Sequence, residues 1–181
     1  MNFIEIAANR HSCRKFTNDP IETDKMDRIL DAIRFAPTAG NLQAYAVRVV
    51  NDKALQNNLA ICAYEQSFIA EAPVALVFFA VPELSAKKYG ERGIDLYSVQ
   101  DATIACLYAQ LAAFEIGLDS CWVGAFDARM VNHFMNAEWS WKPIAILPIG
   151  YRATKSLTGP LKSDRVQVYD SANSNWCSRL R

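Results

Sequence analysis

The spacing of hydrophobic residues along the chain predicts a series of helices. Residues 26–33 place apolar side chains at the i, i+3, i+4 and i+7 positions of an amphipathic helix. Thr23 is the predicted N-cap of this helix, and Pro37 stops it because proline lacks the amide hydrogen and restricts the preceding residue. Four further helices are predicted, over Phe3–Ala8 with Asn2 as N-cap, Asp52–Cys62, Tyr97–Ile116 and Ala128–Met135.

Strands are predicted where apolar runs are rich in β-branched and aromatic residues. Val74–Val81 is apolar without interruption, which is typical of a strand buried on both faces. In Lys142–Tyr151, Pro143 and Pro148 favour a position at a sheet edge or a bulge, because proline cannot donate a ladder hydrogen bond. Further strands are predicted over Tyr45–Val50 and, as a short last strand, Val166–Tyr169.

The longest predicted helix, Tyr97–Ile116, is apolar on nearly all sides and ends at Gly117, a good residue for the C′ position. It must therefore be buried. Two alternatives remain open for its small residues at helical spacing: packing against the sheet within the chain, or a helix–helix seam in a dimer. These small residues are Ala102, Ala105, Ala109 and Ala112.

Composition limits the class of protein. The 181 residues are 51% hydrophobic and 21% charged, which is typical of a globular chain, and we expect one domain over residues 1–181. Nineteen basic residues balance nineteen acidic ones, so nothing favours a nucleic-acid partner. The chain lacks a signal-peptide pattern and an apolar run of membrane-spanning length, which favours a cytoplasmic protein without a membrane partner.

Cysteine and histidine usage gives little support to metal or thiol chemistry. The five cysteines are odd in number and form no CxxC motif, which favours reduced, mostly buried thiols. The two histidines are far apart, so a structural zinc site is not expected. A nucleophilic pair of Cys13 or Cys121 with His133 stays open as an alternative to inert buried thiols. The chain has no GxGxxG, GxxxxGK[ST] or GxSxG motif.

Residues 10–16 hold the most informative polar pattern. In an extended segment Arg10, Ser12 and Arg14 share one face, because successive side chains point to opposite sides. Two guanidinium groups and a hydroxyl on one surface suit a phosphate or a delocalised anion. The alternative for these three residues alone is an ordinary solvated basic turn.

Three segments in this order resemble the FMN-dependent nitroreductase family, in its short branch without the larger helical insertion. They are Arg10–Phe16, Ala36–Gln43 and Gly117–Gly124, and the resemblance runs from Ile4 to about Val168. It implies an α+β fold in three αβα layers, with a central, largely antiparallel sheet flanked by helices. It also implies a homodimer with one FMN in each interface cleft, on which a C-terminal tail of about residues 170–181 docks.

The resemblance further implies a role for each site residue. Arg10 and Ser12 would contact the FMN phosphate, and Arg14 would lie near N1 and the C2 carbonyl, where it stabilises the reduced flavin. Trp122–Val123 would cover one face of the ring, with a backbone N–H near Gly124 close to N5. The full set is Arg10, His11, Ser12, Arg14, Pro37, Thr38, Ala39, Asn41, Gln43, Trp122, Val123, Gly124, Lys162 and Arg165.

The chain also departs from the family pattern. Ala44 and Tyr45 stand where many members have proline and an aromatic residue after the glutamine, and Gly124 stands where some have glutamate. The implied activity is reduction of electron-poor acceptors such as nitroaromatics and quinones, with NADH or NADPH as donor and no catalytic side chain. The alternatives are a flavin-dependent reductive dehalogenase, a flavin-modifying relative and a non-enzymatic flavin-binding protein.

Overall fold

A four-stranded antiparallel sheet forms the centre of the protein in a computed structural model that describes residues 1–154. The strand order is β1-β2-β4-β3, and every neighbouring pair is antiparallel. The strands are β1 Tyr45–Val50, β2 Val74–Ala80, β3 Asp119–Ser120 and β4 Lys142–Gly150.

Helices cover both faces of this sheet. The described part of the chain contains α1 Phe3–Asn9, α2 Thr23–Arg34, α3 Lys53–Cys62, α4 Phe68–Glu71, α5 Pro82–Arg92, α6 Ser98–Glu115 and α7 Ala128–Phe134. Helices α2 and α6 pack on one face of the sheet, and α3, α4 and α7 pack on the other. None of the helices within residues 1–154 combines the length and apolarity that a bilayer span needs.

Strand β2 lies between these two layers, as its uninterrupted apolar run predicts. Val77 and Phe79 belong to the core on one side of the sheet, while Leu76 and Phe78 belong to the core on the other. All four side chains are fully buried. The three-layer αβα architecture expected from the sequence is therefore confirmed, with hydrophobic burial on both sides of one strand.

Most predicted helices are confirmed within a residue or two, and their caps explain their limits. Asn2 caps α1 through a capping box with Glu5, and Asp52 accepts the Leu55 N–H at the start of α3. Thr23 as N-cap was wrong: Glu22 holds that position without a side-chain cap, and Thr23 is the first helical residue.

Strand β4 corrects the edge assignment that its prolines favoured. It is an interior strand, paired with β2 on one side and β3 on the other. The bulge alternative is confirmed beside Pro143, where the register shifts between Phe78 and Phe79 of β2. The carbonyl of Pro148 accepts the Cys121 N–H just beyond the two-residue β3, so no β3 residue needs an amide hydrogen from this proline.

Helix α6 resolves the alternatives for its alanines. It follows a π-helical turn over Gly93–Tyr97. Ala102, Ala105 and Ala109 are completely buried, and the last two lie in the core between the sheet and α2. Packing within the chain therefore accounts for them, and the dimer-seam alternative is wrong for these three. The predicted strand Val166–Tyr169, residues Lys162 and Arg165, and the tail from residue 170 lie outside the described residues.

Candidate functional site

The basic segment after α1 runs extended along the edge of the sheet, as its alternating pattern predicts. Ser12 forms a parallel bridge with Ser120 of β3, and the Cys13 N–H donates to the Ser120 carbonyl over 3.0 Å. Cys13 is buried, whereas Ser12 and Arg14 are exposed. Backbone pairing at this edge thus presents alternate side chains to solvent.

The three polar side chains of this segment lie around one thiol. Burial raises the pKa of Cys121, while the Arg14 guanidinium, the Ser12 side chain and then the Arg10 guanidinium oppose that rise. Electrostatic interactions fade with distance, so each of these three groups lies in the neighbourhood of the Cys121 sulfur. The structure therefore places Arg10, Ser12 and Arg14 in one region, where Ser12 and Arg14 are exposed and Arg10 is half-buried.

The side chain of His11 points into the protein instead. It is only 8% exposed, and its Nε2 lies 3.3 Å from Oδ1 of Asp119 and 3.2 Å from Nη1 of Arg152. Nε of Arg152 lies 3.3 Å from the other oxygen of Asp119. The His11 side chain thus fastens the basic segment to β3, and any contact with a ligand on the exposed face falls to its neighbours.

The second segment of the site is a tight loop, residues 38–44, with an unusual backbone. A 3₁₀ turn spans Ala39–Asn41, and φ is +60° at Gly40, +57° at Asn41 and +47° at Gln43. The left-handed region costs a non-glycine residue about 1–2 kcal/mol. Asparagine is among the few residues that adopt this region with some ease, whereas glutamine at position 43 is unusual there.

A buried carboxylate of α6 holds both ends of this loop. Asp101 is 2% exposed, and it accepts the Ala39 N–H on Oδ1 over 2.9 Å and the Ala44 N–H on Oδ2 over 3.4 Å. Burial raises the pKa of Asp101, and the two backbone hydrogen bonds act against that rise. Sequence reasoning missed Asp101 because it stands about sixty residues from the loop that it holds.

The loop presents amide side chains to solvent. The Thr38 hydroxyl accepts the Gln43 N–H over 3.1 Å, and Nε2 of Gln43 donates to Oδ1 of Asn41 over 3.3 Å. Asn41, Gln43 and Pro37 are exposed, while Thr38 and Ala39 are half-buried. The amides retain donors and acceptors for a ligand with ring carbonyls and nitrogens.

The third segment passes from β3 towards α7. Val123 and Ile146 exchange two backbone hydrogen bonds of 2.9 and 3.0 Å, and the Val123 side chain belongs to the core. Trp122 is half-buried. Gly124 is exposed, and a Cβ added there would come no closer than 3.6 Å to any atom, the nearest being Nε1 of Trp122. The described residues thus leave room for a side chain at position 124.

The chemistry of these donors fits a flavin mononucleotide. Two guanidinium groups and a hydroxyl suit a phosphate dianion, and exposed amides suit a heteroaromatic ring with carbonyl groups. The open space at Gly124 would let a planar ring approach the backbone.

The structure gives no support to a nucleophilic pair of Cys13 or Cys121 with His133. His133 lies exposed on α7, with its ring edge-on to Phe134. Burial raises the pKa of Cys13 and of Cys121, so both thiols keep their protons and are poor nucleophiles. Cys62 and Cys106 are buried in the same way, as expected, and Cys177 lies outside the described residues.

A comparison with family models decides the relationship. The model described as "Nitroreductase family" matches residues 7–64 and 58–151, which together span most of the chain.

The chain belongs to the nitroreductase family.

Individual nitroreductase-family proteins resemble it at modest identity. The protein named FMN reductase [NAD(P)H] of Bacillus subtilis is 28% identical, over 87% of this chain and 68% of its own length. A second protein of that organism, FMN reductase (NADPH), is 27% identical over 86% and 68%.

Solved structures of nitroreductases share the fold. The FMN-dependent nitroreductase from Clostridium difficile R20291 superposes with a TM-score of 0.78 at 26% identity, covering 93% of this chain and 99% of that one. A nitroreductase family protein from Streptococcus pneumoniae TIGR4 gives 0.80 at 22% identity, over 92% and 99%. The expected α+β nitroreductase-like fold is thereby confirmed.

Proposed function

We propose that this chain is an FMN-dependent NAD(P)H oxidoreductase that reduces electron-poor acceptors such as nitroaromatics and quinones. Membership of the nitroreductase family makes the chain an oxidoreductase enzyme, and the names of its relatives support FMN as cofactor with NAD(P)H as donor. The observation that carries the proposal is that Arg10, Ser12 and Arg14 lie near one another beside Cys121, with Ser12 and Arg14 exposed and Arg10 half-buried.

In this proposal Arg10 and Ser12 hold the phosphate of FMN. A guanidinium gives paired, charge-assisted hydrogen bonds to phosphate oxygens, and the hydroxyl of Ser12 adds a third donor. Lys162 and Arg165, which lie outside the described residues, are proposed to complete the phosphate site.

Arg14 is proposed to tune the flavin ring. Its guanidinium carbon lies 6.0 Å from the centroid of the Phe68 ring, which shields one side of the charge from water. A fixed cation beside N1 and the C2 carbonyl favours the form of the ring that carries negative charge there.

The other two segments are proposed to position the ring. The amides of Asn41 and Gln43 would bind its polar edge, and the backbone beside Gly124 would lie against its centre. The chemistry that FMN supplies when bound is hydride transfer through N5 between NAD(P)H and the acceptor. No side chain is assigned as acid or base, because solvent can supply the protons.

A homodimer is part of the proposal. Phe3 and Ile4 of α1 are 67% and 71% exposed, and Leu107 of α6 is 43% exposed. Residues of both helices line an open cavity of about 500 Å³ that includes Phe3, Leu107 and Tyr108. Exposed apolar surface of this kind is typical of interaction sites, which supports a second copy packing here.

Absorption spectroscopy of the purified protein tests the function. We expect a bound flavin spectrum that bleaches with NADH or NADPH under anaerobic conditions and recovers with a nitroaromatic or a quinone. A colourless protein that binds no added FMN would overturn the proposal. Bound flavin that neither donor reduces would favour the non-enzymatic alternative.

Light scattering tests the oligomeric part. Leu107→Glu would place a charge in the proposed interface, so we expect wild type to run as a dimer and the variant as a monomer that loses FMN. A wild-type protein that is monomeric and fully loaded with FMN would contradict this part.

A further inference from the structure

The two ends of the 38–44 loop meet at a single carboxylate. Ala39 and Ala44 are five residues apart, yet their N–H groups donate to the two different oxygens of Asp101. We infer that Asp101 is a positioning residue for flavin binding, which holds this loop in the shape that presents Asn41 and Gln43. The inference rests on the proposed function, since it assigns the loop to the flavin.

The loop needs these two hydrogen bonds because its backbone conformation is energetically unfavourable. Three of the four residues from 40 to 43 have a left-handed φ, and two of those are not glycine. A segment of this kind persists only where its surroundings over-determine it. Within residues 1–154, the other side-chain bond to the loop backbone is that of the Thr38 hydroxyl with the Gln43 N–H.

The surroundings of Asp101 indicate that the loop is its partner. The carboxylate is almost fully buried, and no cation of residues 1–154 lies within salt-bridge distance of it. A desolvated charge needs hydrogen bonds to compensate for lost water, and the loop N–H groups supply them. If the loop moved away from Asp101, the N–H groups of Ala39 and Ala44 would lose their acceptors and the buried carboxylate would lose its donors. The loop and the carboxylate therefore both favour the observed geometry.

FMN titration of Asp101→Ala and Asp101→Asn tests the inference. We expect the Kd for FMN to rise at least tenfold in Asp101→Ala. Asp101→Asn should fall between it and wild type, because the amide keeps one acceptor but turns an NH₂ towards a loop N–H. At saturating FMN, we expect the visible spectrum of the bound flavin to differ from wild type, since the ring contacts from the loop have moved.

Gln110→Ala is the matched control. Gln110 is a buried polar residue of the same helix, 4% exposed, and it makes no hydrogen bond to residues 38–44. We expect its Kd for FMN to stay within twofold of wild type even if its melting temperature falls. An Asp101→Ala protein with wild-type Kd and spectrum would overturn the inference, as would an equal loss in Gln110→Ala.

Amide hydrogen exchange of the protein without FMN tests the same inference, because it measures directly whether the N–H groups of Ala39 and Ala44 are hydrogen-bonded. We expect slow exchange at Ala39 and Ala44 in wild type and at least tenfold faster exchange at both in Asp101→Asn, with core strands unchanged. Should Asp101→Ala fail to fold, Asp101→Asn provides both readouts. Wild type without FMN affinity would contradict the proposed function alone, whereas equal exchange rates in wild type and variant would contradict the role of Asp101.

Discussion

The basic segment at residues 10–14 and the loop at residues 38–44 serve the same candidate site but are held in opposite ways. Backbone pairing with β3 holds the first, so its side chains alternate between core and solvent. Hydrogen bonds from its backbone to Asp101 and Thr38 hold the second, against an unfavourable backbone. The exposed side chains of the first can change without disturbing the fold, whereas changes in the second alter the fold and the site together.

This difference predicts which substitutions change ligand binding without changing the stability of the fold. Arg14 lies on the exposed side of a paired segment, so its removal leaves no cavity and no unpaired backbone group. Gly40 lies inside the clamped loop, so any side chain there adds strain before it touches a ligand.

Arg14→Ala should give the largest effect. We expect FMN binding to weaken by about 10- to 100-fold, because a hydrogen bond to a charged group contributes about 1.5–3 kcal/mol. Stopped-flow reduction of the loaded variant should also be slower, since the variant lacks the cation that is proposed to lie beside N1. Arg28→Ala, which removes a surface ion pair with Glu115, is the control and should change neither quantity. Wild-type affinity and reduction rate in Arg14→Ala would refute the assignment.

Arg10→Ala should separate two effects of the basic segment, which are the affinity for FMN and the rate of flavin reduction. We expect about a tenfold loss of FMN affinity from the missing phosphate contact. At saturating FMN, the rate of flavin reduction should equal that of wild type, because a phosphate contact does not reach the ring. A slower reduction step in the fully loaded variant would show that Arg10 does more than bind phosphate.

Gly40→Ala and Gly124→Ala make the same substitution in the strained 38–44 loop and in the third segment of the site. At Gly40, φ of +60° should cost alanine about 1–2 kcal/mol in the free energy of unfolding, while Tyr89 and Lys88 must move aside. At Gly124 a methyl group makes only an ordinary van der Waals contact with Trp122, at 3.6 Å, so stability should change by less than about 0.5 kcal/mol. Urea unfolding measures both. A loss of FMN affinity confined to Gly124→Ala would then report a close approach of the ring, and equal destabilisation of both variants would contradict the contrast.

The smallest expected effect is a pH dependence from Asp101. Burial raises its pKa in the folded state above the ordinary value of 3.8. At pH values between 3.8 and the raised pKa of the folded state, the folded chain binds this proton more tightly than the unfolded chain. The stability of the wild-type protein should therefore fall as the pH rises through that range. In Asp101→Asn this contribution should vanish. Free energies of unfolding across the window test this, and identical pH slopes for the two proteins would refute it.

The sequence predicts well what local patterns control. Alternation in residues 10–14 predicts the extended segment and its exposed face, and the apolar run of β2 predicts burial on both sides. The Asn2 cap was also evident, since a capping box involves neighbouring residues only. These features depend on interactions within a few positions of each other.

What the sequence does not predict depends on contacts between distant residues. Asp101 bonds to Ala44, 57 residues away in the sequence, and to Ala39, 62 residues away. The pairing of His11 with Asp119 joins β3 to the extended segment after α1. Strand β4 lies inside the sheet despite its prolines, because a bulge and a very short neighbouring strand accommodate them. None of these arrangements leaves a periodic signal in the chain.

The placement of Arg10 and Arg14 on one short segment has a practical consequence for preparing the protein. Two cations on one short segment attract polyvalent anions, so we expect phosphate or sulfate in the buffer to bind there. If these cations hold the FMN phosphate as proposed, inorganic phosphate or sulfate during purification competes for them and releases the cofactor from dilute samples. Reconstitution therefore belongs in a monovalent-salt buffer, with the flavin added before the concentration step.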